Sequence, residues 1–368
     1  MKITAAVSVG PNTDFALEEV TLESPRDHEV LVEITGVGLC HTDIAARDGV
    51  YGLPYPLVLG HEGSGVVIEV GANVSKVGPG DHVALSFNSC GKCTSCTKGS
   101  PAYCLEFVAY NYIGSRPDGS NPLGGFGDAE LHGHFFGQSS LATHAMASER
   151  NVVKIDKSIP LELVGPLGCG IQTGAGAIMR SMSAPEGSSL LVLGAGPVGL
   201  AAVLGAVVQK CSTIIVSEPH AGRRALALEL GATHALDPAD GPLPEQVRGI
   251  IAGGADFAFD TTGNVAVIKA AIESMAVNGM LGLVGVPKDF SVELPINIVA
   301  TMQAGLTIKG IVEGDSDPDV FIPELLDLYK AGRFAFDKMI TTFPLSKIND
   351  AVTAQHNGEV TKVVLLNN

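Results

Sequence analysis

The sequence predicts an α/β chain in two parts, a β-rich part and a doubly wound parallel sheet. At 368 residues the chain exceeds what one small core serves, so two domains are expected. Up to about residue 156, apolar and polar residues alternate over short runs broken by Gly and Pro. From residue 189, short apolar runs alternate with helical patterns, which implies parallel strands covered on both faces.

In chain order, residues 29–35 (EVLVEIT) alternate as a half-buried strand, and 63–70 (GSGVVIEV) and 81–85 read likewise. Gly78-Pro79-Gly80-Asp81 marks a turn between them. Residues 111–128 (NYIGSRPDGSNPLGGFGD) are polar and rich in Gly and Pro, and read as a long surface loop. The second part places strands at 189–193, 213–218, 256–260 and 280–286. Between them lie helices at 197–209, 222–230 (amphipathic, ending at Gly231) and 265–275. The chain then returns to mixed structure, with helices at 322–331 and 348–356 and a closing strand at 362–366.

A composition of 46% hydrophobic and 17% charged residues excludes disorder. A net charge of -16 opposes nucleic-acid binding, which needs a basic face. The apolar start is cut short by Pro11-Asn12-Thr13-Asp14 and is no secretory signal. Residues 190–208 are uncharged and long enough to span a bilayer. Their internal Gly and Pro would break such a helix, so a buried strand, turn and helix is expected and no membrane partner. With no signal and clustered cysteines, metal binding in a reducing cytoplasm is favoured over disulfides.

Cys90, Cys93, Cys96 and Cys104 form a C-x2-C-x2-C-x7-C cluster. Four such thiolates suit a closed, tetrahedral structural zinc. Cys40 opens Cys40-His41-Thr42-Asp43, His61 opens His61-Glu62, and Cys169 sits in the apolar run 166–170. Two Cys and one His from separated segments suit a catalytic zinc with one position left open. Cys169 alone would read as a small core residue, and only its company raises it; Cys211 reads as core.

Gly194-Ala195-Gly196-Pro197-Val198-Gly199 follows a strand and opens a helix, and Glu218 ends the next strand. That is the context a dinucleotide fingerprint demands. Gly194 permits the turn, Gly196 lets backbone approach a pyrophosphate, and Gly199 lets helix and strand pack closely. Glu218 would accept the adenosine ribose hydroxyls and repel a 2'-phosphate, favouring NAD over NADP. Arg223 and Arg224 could instead pair with a phosphate.

The segments GLCHTD (38–43), GHEGSG (60–65), CGKCTSC (90–96) and GAGPVG (194–199) together resemble the zinc-dependent, medium-chain alcohol dehydrogenases. HFFGQSSLATHA (134–145) and IVEGDSDP (311–318) look like the aryl-alcohol (benzyl-alcohol) dehydrogenase branch. The resemblance implies a GroES-like, β-rich catalytic domain over 1–158 and 309–368, holding both zinc sites. It implies a Rossmann NAD-binding domain over 159–308. Two zincs per subunit, NAD, a small alcohol or aldehyde substrate and a homodimer or homotetramer come with it.

By the same resemblance, Cys40, His61 and Cys169 hold the catalytic zinc, whose charge lowers the pKa of a substrate hydroxyl. Cys90, Cys93, Cys96 and Cys104 hold the structural one. Asp43 orients His61, Glu62 lies near the metal, and Thr42 takes the alcohol proton. Relatives pass that proton on through a His where this chain has Ala45. His41 and Lys362 would approach the cofactor pyrophosphate, and Arg223 the adenosine ribose. Thr173, Val198, Val284 and Val286 would pack the nicotinamide. Tyr51, Phe87, Phe135 and Phe136 would form an aromatic substrate pocket. The expected reaction is oxidation of a primary benzylic alcohol to its aldehyde, with hydride transfer to NAD. An allylic or terpenoid alcohol is the alternative substrate, and a non-catalytic zinc- and nucleotide-binding protein the alternative class. A metal-free reductase of the same superfamily would lack these cysteines.

Overall fold

The period-two runs form the strands they predict, and their pairing shows what each face meets. The structure, a computed structural model, describes residues 1–287 and 289–367. Its first unit comprises Met1–Cys169, Asp317–Leu326 and Met339–Asn368, and its second Gly170–Ser316 and Asp327–Lys338. The units part at 169/170 and 316/317, where the sequence places the lines at 158/159 and 308/309. Two buried serines account for the first difference. Ser64 Oγ donates to the Leu161 carbonyl at 2.7 Å, and Ser86 Oγ to the Gly168 carbonyl at 2.6 Å. A Cβ on Gly168 would stand 2.0 Å from the Leu85 carbonyl oxygen, so only glycine lets this segment lie against the sheet.

In the first unit Glu29–Gly38 lies inside a seven-stranded sheet, bonded antiparallel to Gly63–Val70, His144–Ser148 and Lys362–Leu366. Read as half-buried, it is covered on both faces except near Glu33 and Thr35. A four-stranded sheet begins with a hairpin of Lys2–Ser8 and Phe15–Leu22. The second of these strands was not legible, because FALEEVTL alternates only over its last few residues.

Residues 111–128 are more than a surface loop. Asn111 ends the helix Phe107–Asn111, and Leu123–Gly124 pairs with Phe15–Leu22. Arg116 is only 4% exposed. Its Nε and Nη2 donate to Glu29 Oε1 and Oε2 at 2.5 and 2.8 Å, and Nη2 also reaches Glu23 at 2.6 Å. A buried, bidentate ion pair thus anchors a segment whose composition signals only flexibility.

The second unit is a parallel six-stranded sheet. Its order is His234–Leu236, Thr213–Ser217, Ser189–Leu193, Ala255–Asp260, Met275–Leu283, Thr307–Gly310. Numbered along the chain this is 3-2-1-4-5-6, the doubly wound Rossmann order. Ligands bind such sheets at the switch point between strands 1 and 4, outside the carboxyl ends. Residues 190–208 resolve into the end of Ser189–Leu193, a turn, and the helix Pro197–Val208. Among the described residues no helix is long and apolar enough to cross a membrane.

Replacing Arg116 by Met will strand the Glu29 carboxylate and cost about 3 kcal/mol of stability, read from the urea midpoint. Adding Glu29→Gln will recover more than half of the loss. Loss of less than about 0.5 kcal/mol in Arg116→Met would show that the pair does not anchor the segment.

Candidate metal centres and dinucleotide site

Helix His41–Arg47 starts at Cys40, whose backbone is extended (φ -114°). Asp43, buried in its first turn, joins three groups. Its Oδ2 accepts the Cys40 N–H at 3.1 Å; its Oδ1 accepts the Gly60 N–H at 3.0 Å and faces His61 Nδ1 at 2.8 Å. The carboxylate therefore holds the proton on Nδ1 and leaves Nε2 with a free lone pair. His61 Nε2 is buried and has no hydrogen-bond partner among the described residues. Cys40, His61, Glu62 and Cys169 each place a ligand atom within 4.8 Å of the others. A hydrogen bond from Cys169 holds the Cys40 thiol well below its usual value despite burial. Buried thiolate charge beside an orphaned imidazole nitrogen fits zinc.

Burial pushes the Glu62 carboxyl up to about 7, against the pull of Lys362. Lys362 Nζ lies 2.5 Å from Glu62 Oε2 and donates to the Leu39 carbonyl at 3.1 Å, with the residue 1% exposed. Lys362, expected to approach the pyrophosphate, here pairs with Glu62. Strand Lys362–Leu366 pairs with Glu29–Gly38 and turns the ammonium inward, beneath Glu62. His41 is exposed.

Phe136 and Phe135 pack on the imidazole, with ring centroids 4.5 and 5.8 Å from that of His61. They are 2% and 0% exposed, and Phe87 is also buried. These three belong to the core rather than forming an open wall. The half-buried rings beside them are Tyr51, Phe107 and Tyr112. Tyr112 lies 5.0 Å from Tyr51 and 4.9 Å from Phe136. His134, Phe136 and Ser139 have φ of 60°, 52° and 54°, costs of about 1–3 kcal/mol each. Bonds from Phe135 N–H to Ser139 Oγ (2.9 Å) and from Ser139 Oγ to the Val58 carbonyl (2.7 Å) hold the segment. Buried Gln138 donates to the His61 and Ser86 carbonyls at 2.9 and 3.0 Å and accepts the Gly63 N–H at 3.1 Å.

Gln138, Phe107 and Tyr112 escape the sequence reading; two aromatics just past the cysteine cluster were the available signal. Tyr51 hydrogen-bonds Thr42 through its hydroxyl, and burial, with the Cys40 charge, raises its pKa to about 12. The side chain at 45 is a methyl group, so the hydroxyl next to Thr42 is that of Tyr51.

Cys90, Cys93, Cys96 and Cys104 also bring their sulfurs within 4.8 Å of one another. A tetrahedron with about 2.3 Å Zn–S bonds needs sulfurs about 3.8 Å apart. Backbone N–H groups of Cys90, Cys93 and Glu106 point at these sulfurs from 3.2 to 3.4 Å, which stabilises thiolates. Cys211 lies apart, against the Ser188 hydroxyl.

In the second unit Gly194 has φ +91°, and a Cβ on Gly199 would lie 2.0 Å from the Gly194 carbonyl oxygen. A Cβ on Gly196 would meet nothing within 4 Å. That open face, at the N-terminus of Pro197–Val208, fits a pyrophosphate. Glu218 is buried; its Oε2 accepts the Ala195 N–H at 2.7 Å and its Oε1 the His220 N–H at 2.9 Å. Two of about four acceptor sites remain for ribose hydroxyls. Arg224 donates to the Glu218 and Pro219 carbonyls at 2.7 Å each and pairs with Asp237 at 2.8 Å. Arg223 is half-buried, and its Nε has no partner among the described residues. Thr173 is buried and donates to Glu313 at 3.3 Å. Val198 and Val284 are half-buried, while Val286 is exposed beyond the end of its strand.

Residues 26–157 match the family described as Alcohol dehydrogenase GroES-like domain, and residues 197–331 the family described as Zinc-binding dehydrogenase. A geraniol dehydrogenase of Castellaniella defragrans is 48% identical over 354 residues, spanning 96% of this chain and 94% of its own. A benzyl alcohol dehydrogenase of Acinetobacter calcoaceticus has a TM-score of 0.97 at 39% identity, with 100% of both chains covered. An alcohol dehydrogenase zinc-binding domain protein from Burkholderia ambifaria has a TM-score of 0.98 at 44% identity, covering 100% of this chain and 99% of its own.

The two clusters will behave differently when cut. Elemental analysis will find two zincs per chain. Cys169→Ser will keep the tetracysteine zinc and a near wild-type Tm, whereas Cys93→Ser will lower Tm by roughly 5 °C or more. Equal losses of fold in both variants would refute the division into catalytic and structural sites.

Proposed function

This chain belongs to the zinc-dependent, medium-chain alcohol dehydrogenases, and we propose that it oxidises a primary benzylic alcohol to the aldehyde with NAD. The observation that carries this substrate is the pair of half-buried rings Tyr112 and Tyr51, 5.0 Å apart, which lead outward from the buried Phe136 against His61. Such rings favour a flat, conjugated substrate by roughly 0.5–1.5 kcal/mol beyond burial. Conjugation also stabilises the product aldehyde. A relative named for benzyl alcohol supports the reading. A relative named for geraniol, 48% identical, favours a second one, an allylic terpenoid alcohol.

In this proposal Cys40, His61 and Cys169 hold the catalytic zinc, and Cys90, Cys93, Cys96 and Cys104 the structural one. Bound zinc supplies a positive charge that lowers the pKa of an alcohol hydroxyl, and NAD supplies the hydride acceptor. Asp43 holds His61 in the ligating tautomer. Thr42 accepts the alcohol proton, and Tyr51 extends the hydroxyl chain where relatives use a histidine. Lys362 draws the Glu62 carboxylate aside by its ion pair. Gly194, Gly196, Pro197, Val198 and Gly199 cradle the pyrophosphate, and Glu218 takes the ribose. The expected homodimer or homotetramer is supported by Val277, Ile298 and Met302, exposed by 70%, 79% and 71%.

Initial rates with benzyl alcohol, geraniol and ethanol test the substrate. Benzyl alcohol will exceed ethanol in kcat/KM by at least about 100-fold. A tenfold preference for geraniol over benzyl alcohol would install the allylic reading, and parity with ethanol would overturn both. No NAD reduction with any of the three would return the non-catalytic reading.

A further inference from the structure

We propose that Asp237 is a cofactor-specificity residue: it holds Arg224 away from the adenosine ribose and cancels its charge, so that a 2'-phosphate finds no cation there. The inference rests on the dinucleotide reading above and deepens it.

Asp237 directly follows the strand His234–Leu236, which pairs with Thr213–Ser217. Glu218 continues the latter strand, and its N–H bonds to the Leu236 carbonyl at 3.1 Å. Asp237 and the ribose-binding carboxylate therefore end neighbouring strands. The two Asp237 oxygens have separate tasks. Oδ2 pairs with Arg224 Nη2 at 2.8 Å, and Oδ1 caps the following turn by accepting the Ala239 N–H at 2.9 Å. Both side chains are mostly covered, at 20% and 26% exposure, so the pair is shielded from solvent. Nη1 of Arg224 is occupied by the Glu218 and Pro219 carbonyls. An arginine fork is the usual partner of a phosphate; here its donors are turned onto the protein. Counting Glu218, Asp237, Arg223 and Arg224, the strand ends carry no net charge. Loss of the Asp237 charge leaves them at plus one, with Arg224 released on one side.

The test is calorimetric binding of 2',5'-ADP and 5'-AMP, which needs no turnover. Asp237→Asn keeps an oxygen for the Ala239 N–H and removes only the charge. In zinc-loaded protein it will tighten 2',5'-ADP at least fivefold and change 5'-AMP less than twofold. Adding Arg224→Gln will abolish the gain, and adding Arg223→Gln will not. Unchanged 2',5'-ADP affinity in Asp237→Asn, or a gain that survives Arg224→Gln, would overturn the proposal. If the wild type binds neither 5'-AMP nor NAD, the dinucleotide reading itself falls.

Discussion

The carboxylate of Asp43 is the contact on which the metal centre depends. It is buried, and three N–H groups share its two oxygens: the Cys40 and Gly60 amides and the His61 ring. An unpaired buried carboxylate would be prohibitively costly, so the three segments must meet where it lies. Meeting there, they set the distance between Cys40 and His61, two of the proposed zinc ligands. The third ligand comes by another route: Ser86 and the missing Cβ of Gly168 bring the 165–169 segment onto the end of His82–Leu85.

Two other buried carboxylates of this unit are paired with cations. Lys362 answers Glu62, Arg116 answers Glu29, and the half-buried Cys40 thiol, held well below its usual value, suits a cation. The second unit applies the same economy to Glu218. Its buried carboxylate is satisfied by two backbone amides, one in the glycine loop and one after its own strand. The bond to Ala195 couples Glu218 to the glycine loop, so the groups proposed to take ribose and pyrophosphate form one preorganised surface.

Features set by residue type and short spacing were legible in the sequence. The tetracysteine cluster and the glycine turn fall within a few residues, and four strands of the parallel sheet announce themselves by short apolar runs, whereas His234–Leu236 and Thr307–Gly310 do not. Features set by long-range register were not. Nothing local in KVVLL shows that Lys362 turns inward onto Glu62, because that depends on pairing with a strand more than three hundred positions earlier. Arg116 looks like a solvated loop residue until Glu29 is placed beside it. By sequence alone Phe135 and Phe136 suggest pocket walls. Left-handed backbone at His134, Phe136 and Ser139 turns them into the core against His61 instead. Gln138 and Tyr112 carry no motif, and their importance lies wholly in what they touch.

If Asp43 builds the proposed catalytic metal site by fixing its ligands, removing its charge must weaken one metal and spare the other. Chelator competition on Asp43→Asn, with zinc counted by elemental analysis, tests it most directly. One zinc will weaken by about 10- to 100-fold while the tetracysteine zinc and the circular dichroism spectrum stay as in the wild type. Two zincs released with wild-type affinities would contradict it.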